Sequence, residues 1–409
     1  MSIEVAKEDL ELQATLNNEQ QLALDEIMDH VLNQKGKVFF IDGPGDTGKT
    51  YLYNALLAKV RSMGLIAIPT ATSGIAASVM PGGRTTHSRF KIPINVQEDT
   101  VCNFSKQSGT TELLRRASLI IWDEVAMKKW QAVEALDRSL QDITGCRSQF
   151  GGKVIVFGGD FRQVLPVVRR GTRAQIVNAT LRKSYLREDI RQIKLWRNMR
   201  AQTDLWFSDF LLRVGNGVEE SIGEDYVHLP EEMVVCYTHS ETSVSKLLNE
   251  VFPSLDKNGR LPSYISSRAI LSTKNEYVDE LNVKLIDRFP GEEKVYYSFD
   301  SAVHDTHNHY PPEFLNSLTP NGLPPHVLRL KINCPVILLQ NLDPHNGLCN
   351  GTRLIIKAFQ DNAIDAEIIG GQHAGKRVFL PRIPLYPSEM MCFPSSSRES
   401  NFQFVLALQ

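Results

Sequence analysis

After the apolar run Val38-Phe39-Phe40-Ile41 and a single Asp42, the chain reads Gly43-Pro44-Gly45-Asp46-Thr47-Gly48-Lys49-Thr50, and a helical pattern from Tyr51 to Met63 follows. The octapeptide fits G-x-x-x-x-G-K-T, and the strand before it with the helix after it are the context that motif needs. Its glycines let backbone N–H groups close around phosphate oxygens. The helix start adds partial positive charge at the same point. In this reading Lys49 reaches the β- and γ-phosphates of ATP and Thr50 binds Mg²⁺. Such a loop restricts the chain to folds in which a buried strand opens onto a helix.

Three more apolar runs end in polar turns. Leu65-Ile66-Ala67-Ile68 precedes Pro69-Thr70, Leu119-Ile120-Ile121-Trp122 precedes Asp123-Glu124, and Val154-Ile155-Val156-Phe157 precedes Gly158-Gly159-Asp160. Continuous apolar strands alternating with helices predict an α/β fold with a parallel sheet covered on both faces. Ligands of such sheets bind beyond the carboxyl ends of the strands. Asp123 is then expected to hold Mg²⁺ through water and Glu124 to orient the attacking water, because phosphoryl transfer needs positioning and charge neutralisation. The plain alternative is an acidic N-cap on the next helix. Gln163, three residues past Asp160, is a candidate sensor of the γ-phosphate, although Gly-Gly-Asp is also an ordinary turn.

The 409 residues suit two or three domains, and 42% hydrophobic with 22% charged residues is ordinary for a soluble globular protein. No run of about 18 apolar residues is present, so no membrane span is expected. The acidic stretch from Met1 to Leu12 does not resemble a signal peptide. Six scattered cysteines without a C-x-x-C pair fit a reducing compartment and argue against structural zinc. The net charge of −2 calls for no nucleic-acid partner, yet residues 161–200 carry eleven Lys or Arg against two acidic residues. That +9 segment could track a phosphate backbone or be a solvated helix face.

Past Arg200 a helix from Leu205 to Val214 stops at Gly215-Asn216-Gly217, and an acidic linker runs from Glu219 to Glu232. Arg268 to Leu271 predicts a strand and Glu276 to Phe289 a helix. Val327 to Leu339, Thr352 to Phe359, Ala363 to Ile369 and Arg377 to Leu380 predict a small all-β unit. His304, His307 and His309 fall in a Pro-rich loop without cysteine and are read as loop rather than metal ligands. Boundaries are expected near 203 and 300.

Together these clusters resemble the Pif-one (petite integration frequency) family of superfamily-1B DNA helicases, and most nearly the helicase portion of Helitron transposons. The likeness runs from about Leu16 to about Pro387. Leu16-Asn17-Asn18-Glu19-Gln20 resembles the family's adenine-reading motif, with Gln20 as reader. Ala71-Thr72-Ser73-Gly74-Ile75-Ala76-Ala77 and Gly82 to Phe90 resemble its strand-binding motifs. Trp122-Asp123-Glu124-Val125-Ala126-Met127 has Ala126 where the family has serine. Gly159-Asp160-Phe161-Arg162-Gln163-Val164-Leu165-Pro166-Val167 is the most specific match. Leu195-Trp196-Arg197-Asn198-Met199-Arg200 makes Arg200 the arginine finger, and Gly347 to Arg353 resembles the inserted β-domain.

The resemblance implies a RecA-like P-loop NTPase domain at 16–203 after a tail at 1–15, a partial second motor domain at 204–300, and a small SH3-like β-domain at 301–390. It implies ATP- and Mg²⁺-dependent unwinding with 5′-to-3′ movement on single-stranded DNA, acting at duplex junctions. Thr72, Ser73 and Ser88 would contact phosphates, while His87 and Phe90 would offer stacking faces. The bland alternative puts Phe90 in the core and makes His87 a satisfied polar residue. Family roles in recombination, repair and telomere maintenance, and a nuclear or mitochondrial location, follow by resemblance alone. A nucleotide kinase fits less well, because it leaves the Gly158–Val167 cluster and the +9 segment without a role.

Two departures stand out. Asp46 occupies a position where the family usually has glycine. At ~6 Å and an effective dielectric of ~20, each unit-charge repulsion with phosphate is roughly 2–3 kcal/mol before screening, an expected weakening of about ten- to a hundredfold. The segment 391–409 differs from the family's stretch like K-R-x-Q-F-P-V-R-L. Back-translated and shifted by two bases it can spell a close match, so a frameshift or mis-spliced exon near residue 393 is expected, and with it the alternative of an inactive transposon-derived fragment that binds nucleotide or single-stranded DNA without unwinding.

Overall fold

The computed structural model describes residues 11–223, 226–302, 311–317, 325–343 and 346–385, together with the backbone of 396–401 and 404–405. The three loop histidines at 304, 307 and 309 lie outside the described residues. The chain divides into two compact units, Met1–His228 and Leu229–Gln409.

The first unit is built on a six-stranded parallel sheet. Its strands are β1 (Lys37–Asp42), β2 (Ile66–Ala71), β3 (Arg84–Thr85), β4 (Ala117–Asp123), β5 (Val154–Gly159) and β6 (Arg191–Lys194), in the order β3-β2-β4-β5-β1-β6. Side chains alternate across a strand, and here both faces are dry. Phe39 and Ile41 of β1 pack with Ile121 and Val156 on one face; Val38 and Phe40 pack with Ile120, Trp122 and Phe157 on the other. That is why the sequence shows continuous apolar runs rather than alternation.

Helices α1 (Asn18–Leu32) and α2 (Lys49–Ser62) cover the first face. The short helices α3 (Gly74–Ser78) and α4 (Thr86–Phe90) follow β2 and β3, and α5 (Gly109–Arg116) and α6 (Trp130–Thr144) lead into and out of β4. Two further helices, α7 (Arg173–Ala179) and α8 (Leu205–Asn216), belong to the same unit. The helix expected to open a second domain at 204 therefore belongs to the first, and the break comes at 228 rather than 203.

The second unit has one hydrophobic core that spans the expected boundary at 300. It joins Leu248 and Phe252 at the end of α9 (Ser240–Val251), Leu255 of α10 (Leu255–Asn258), Ile265 of α11 (Pro262–Ser266) and Leu285 of α12 (Asn275–Arg288) to Leu330, Val336, Ile356 and Ile364 of the β-region. Strand β7 (Glu293–Tyr297) pairs with a strand at Val327–Lys331, and Pro335–Leu338 pairs with Arg353–Phe359. A further pair joins Arg353–Phe359 to Ala363–Ile368, and Arg377–Pro381 completes that meander. Every strand pair described in this unit is antiparallel. The backbone of Ser396–Asn401 pairs with Phe299–Ala302 and with Ile383–Leu385. The strand expected at Arg268–Leu271 does not form, and Leu271 is 83% exposed. A short apolar run without a partner strand has no ladder to join.

Phe90 corrects a second expectation. It is 0% exposed, on the inner side of α4, with its ring 6.0 Å from that of Trp122. No base can stack on it, and the core alternative is the one observed. Truncating a buried phenylalanine to alanine costs about 3–5 kcal/mol. Phe90→Ala should therefore lower the denaturant midpoint of the first unit strongly while leaving oligonucleotide affinity of the folded fraction unchanged. A selective loss of DNA affinity with unaltered stability would contradict this placement.

Candidate functional site

The carboxyl ends of β1, β2, β4 and β5 bring the sequence clusters to one edge of the sheet. The loop after β1 begins at Gly43 and closes at Gly48, which adopts φ +77° and caps α2. A Cβ at Gly48 would also collide with the Gln20 amide, so the position needs glycine twice over.

Lys49 folds back over the loop. Its ammonium donates to the carbonyls of Gly43 (2.6 Å) and Pro44 (3.0 Å), while the Thr47 hydroxyl donates to Pro44 O (3.0 Å). Burial pulls the Lys49 pKa below the usual lysine value, and Asp123, Asp160, Asp42 and Asp46 act in the opposite direction. Four carboxylates thus act on the ammonium. Arg162 offsets two of them, lying 3.0 Å from Asp160 and 3.7 Å from Asp42. Gln163 donates to Asp160 Oδ2 (3.3 Å), and its amide nitrogen lies 3.6 Å from where a Cβ on Gly45 would stand, which brings this residue beside the loop.

Gln20 is engaged more closely with protein than a base reader would be. Its side chain completes a capping box with Asn17 and donates to the carbonyls of Thr47 (3.3 Å) and Gly48 (3.4 Å), leaving it 2% exposed. In this structure it braces the loop through α1.

Segment 195–200 runs alongside the loop because β6 continues the pairing of β1. Leu195 N donates to Asp42 O (2.8 Å) and Met199 N to Asp46 O (2.7 Å). This delivers Arg200 to Asp46, with Nη1 2.7 Å from Oδ1. Asp46 has φ +67°, a left-handed conformation that glycine adopts freely and aspartate tolerates better than most residues. That explains why glycine suits the position. With Arg200 82% exposed, the ion pair contributes at most about 1 kcal/mol and exchanges readily.

At the end of β4 the two acidic residues diverge. Asp123 is buried, accepts from Glu124 N (2.9 Å) and receives the Tyr53 hydroxyl of α2 at 3.4 Å. Burial raises its pKa, with Lys49 among the groups that hold it down, and burial beside Asp123 pushes the Tyr53 phenol well up. Gly158 on β5 must lack a side chain, since a Cβ would overlap both Tyr53 and Asp123. Glu124 adopts φ +56° and turns to β2: its Oε2 accepts from Ser73 Oγ (2.6 Å) and Ser73 N (3.2 Å). Thr72 Oγ1 donates to Glu124 O (2.8 Å) and accepts from Trp122 Nε1 (3.1 Å).

Among the described residues no group of three or more His, Cys, Asp or Glu could hold a metal alone. The donors present fit Mg²⁺ all the same: Asp123 is a buried carboxylate whose charge is disfavoured by desolvation, and Thr50 stands in the first turn of α2. Magnesium takes one or two protein oxygens and completes its shell with phosphate and water.

Of the other candidates, Ser88 is exposed. His87 is half-buried, its Nδ1–H donating to Ile92 O (2.9 Å) and its Nε2 accepting from Lys128 (2.7 Å). Burial and the Lys128 charge hold its pKa below the usual value. It is the satisfied polar residue of the bland reading, with both ring nitrogens already engaged. The +9 segment is partly neutralised, since Arg162, Arg191 and Arg200 pair with Asp160 and Asp42, Glu26, and Asp46. Sequence reasoning missed Tyr53, Arg162 and the Ser73–Glu124 link. Only the Asn17-to-Gln20 spacing of the capping box was there to be read.

Residues 15–224 match the PIF1-like helicase family and residues 313–359 match the DNA helicase Pif1 2B domain. Among curated relatives, the ATP-dependent DNA helicase PIF7 of Trypanosoma brucei brucei is 28% identical over 359 residues, covering 82% of this chain and 33% of its own length. The ATP-dependent DNA helicase PIF1 of Danio rerio is 24% identical over 348 residues, covering 84% and 47%. The chain thus spans a third to a half of these relatives. A Pif1 helicase from Bacteroides, solved with ADP-AlF3 and ssDNA, superposes with a TM-score of 0.65 at 20% identity, covering 96% of this chain and 82% of that one. A Pif1 helicase from Candida albicans superposes with a TM-score of 0.60 at 19% identity, covering 96% and 84%. The fold is the RecA-like P-loop α/β fold. With more than half of its residues in the family match, the chain belongs to the PIF1-like helicase family.

Proposed function

We propose that the first unit hydrolyses ATP and drives 5′-to-3′ movement on single-stranded DNA, so that the chain acts as an ATP-dependent DNA helicase at duplex junctions. One observation carries the reading: Lys49, Asp123, Gln163 and Arg200 converge on a single loop, from strand ends far apart in sequence. A nucleotide kinase would leave the Gly158–Val167 cluster and the basic segment at 161–200 without a role. The names of the relatives support the same reading, and one related structure is described as unwinding forked dsDNA by two coordinating Pif1 helicases. Family roles in recombination, repair and telomere maintenance, and a nuclear or mitochondrial setting, are proposed on membership alone.

In this mechanism Lys49 leaves the Gly43 and Pro44 carbonyls for the β- and γ-phosphates. Thr50 and Asp123 would hold Mg²⁺, which would supply charge neutralisation on the phosphates. Glu124 orients the attacking water, Gln163 responds to the γ-phosphate, and Arg200 leaves Asp46 to stabilise the charge that develops in transfer. Thr72, Ser73 and Ser88 face the DNA phosphates. A second reading, binding without turnover, is favoured by one feature, the Asp46 carboxylate that occupies the finger.

Four outcomes test the proposal. Lys49→Ala should abolish ATP turnover, and Glu124→Gln should lower it by about 10²- to 10³-fold while nucleotide still binds. Single-stranded DNA should accelerate hydrolysis by the unaltered chain; nucleotide and DNA binding without any turnover would instead establish the second reading. Asp46→Gly removes a charge from the loop, relieves a left-handed aspartate and frees Arg200. It should tighten ATP binding about tenfold, or about 1.4 kcal/mol, and equal dissociation constants for the two proteins would sink the assignment.

A further inference from the structure

Glu124 is placed where it cannot serve the proposed hydrolysis without moving. The sheet order is β3-β2-β4-β5-β1-β6, so β4 lies between β2 and β5, and the P-loop follows β1 on the far side of β5. Asp123 uses its carboxylate on the P-loop side, where it meets Tyr53 of α2. Glu124, one residue on, uses its carboxylate on the β2 side, where Ser73 donates to it from both hydroxyl and amide. The backbone is fixed in the same sense, because Thr72 Oγ1 holds the Glu124 carbonyl and Thr72 N donates to Asp123 O (3.0 Å). The carboxylate needed at the γ-phosphate is thus tied to the neighbouring strand.

The tie is chemically exclusive. A serine hydroxyl has one proton and can donate to one acceptor at a time. Ser73 is half-buried rather than sealed, and the next residue but one, Ile75, is 46% exposed, so the turn is reachable from outside. An anionic oxygen arriving at this turn competes with Glu124 for the same proton, and charge-assisted bonds of this kind are the strong ones.

We propose that Ser73 is a positioning residue that restrains Glu124 on the β2 side in the DNA-free chain, and that a phosphate of single-stranded DNA takes over the Ser73 hydroxyl and releases Glu124 to the water-orienting position. This rests on the assignment of Glu124 to hydrolysis and makes the Thr72–Ser73 turn the point where DNA occupancy is converted into ATP turnover. Ser73 touches no nucleotide in this scheme, so its effect falls on the rate of turnover rather than on ATP affinity.

The experiment measures steady-state ATP turnover by the full chain, with and without saturating oligo-dT, for the unaltered protein and for Ser73→Ala, Ser73→Thr and Glu124→Gln. Ser73→Ala should raise the DNA-free kcat by about tenfold, the scale of one charge-assisted hydrogen bond, with KM for ATP unchanged and the ratio of DNA-stimulated to DNA-free turnover reduced by a similar factor. Ser73→Thr keeps the hydroxyl and the helix cap and should restore the ratio. The proposal is overturned if Ser73→Ala lowers both rates equally, or weakens oligonucleotide binding while the DNA-free rate stays the same. No hydrolysis by the unaltered chain, or full hydrolysis by Glu124→Gln, would overturn the assignment of the site itself and this inference with it.

Discussion

The first unit depends on where one ammonium group sits. Lys49 is half-buried against the carbonyls of its own loop and lies within the field of four aspartates. A half-buried cation is costly without partners, and beyond the carbonyls of its own loop Lys49 draws on aspartates that close different strands. Asp42 ends β1, Asp123 ends β4, and Asp160 follows β5. The apolar strands serve to bring these polar ends together, since burial of both sheet faces fixes the register that sets their spacing. Arg162 then offsets two of these carboxylates, Asp160 and Asp42. A triphosphate entering the loop would draw a half-buried cation from the Gly43 and Pro44 carbonyls, and partial exclusion of water strengthens the charge stabilisation that phosphoryl transfer uses.

Asp46 shows how one residue can be locally tolerated and globally contrary. Its left-handed backbone is the conformation the loop needs, and aspartate is among the non-glycine residues that accept it. Its charge, however, points into a site that must receive phosphate. Arg200 answers that charge in the DNA- and nucleotide-free chain, and the solvent around the pair keeps the interaction weak enough to break. The same arginine is delivered by the continuation of β6 along the loop, so the finger and the loop are linked by backbone hydrogen bonds that do not depend on side chains.

Much of this was legible in the sequence because it is local. A doubly buried strand must be apolar throughout, and a phosphate loop must carry its glycines and lysine at fixed spacing, so β1, β4, β5 and the octapeptide could be read directly. Asp123 was legible as the polar end of an apolar run. What escaped reading depends on packing across the sheet. Ser73 and Glu124 are neighbours only because β2 and β4 are adjacent. Phe90 sits on a five-residue helix, too short for periodicity to say which way its ring turns, and the fold turned it inward. Gln20 carries a capping signal that could have been read beside its base-reading one. Residues 268–271 had the composition of a strand and lacked a partner to pair with.

If ATP binds the loop from Gly43 to Thr50, as proposed, phosphate oxygens take the place of the loop carbonyls on Lys49 and part Arg200 from Asp46. A crystal structure of the full chain with Mg²⁺ and a non-hydrolysable ATP analogue tests it most directly. Lys49 Nζ should lie on the β- and γ-phosphate oxygens, no longer bonded to Gly43 and Pro44, with Arg200 parted from Asp46. Phosphates bound outside the loop, or Lys49 still folded onto its own carbonyls beside a bound analogue, would contradict it.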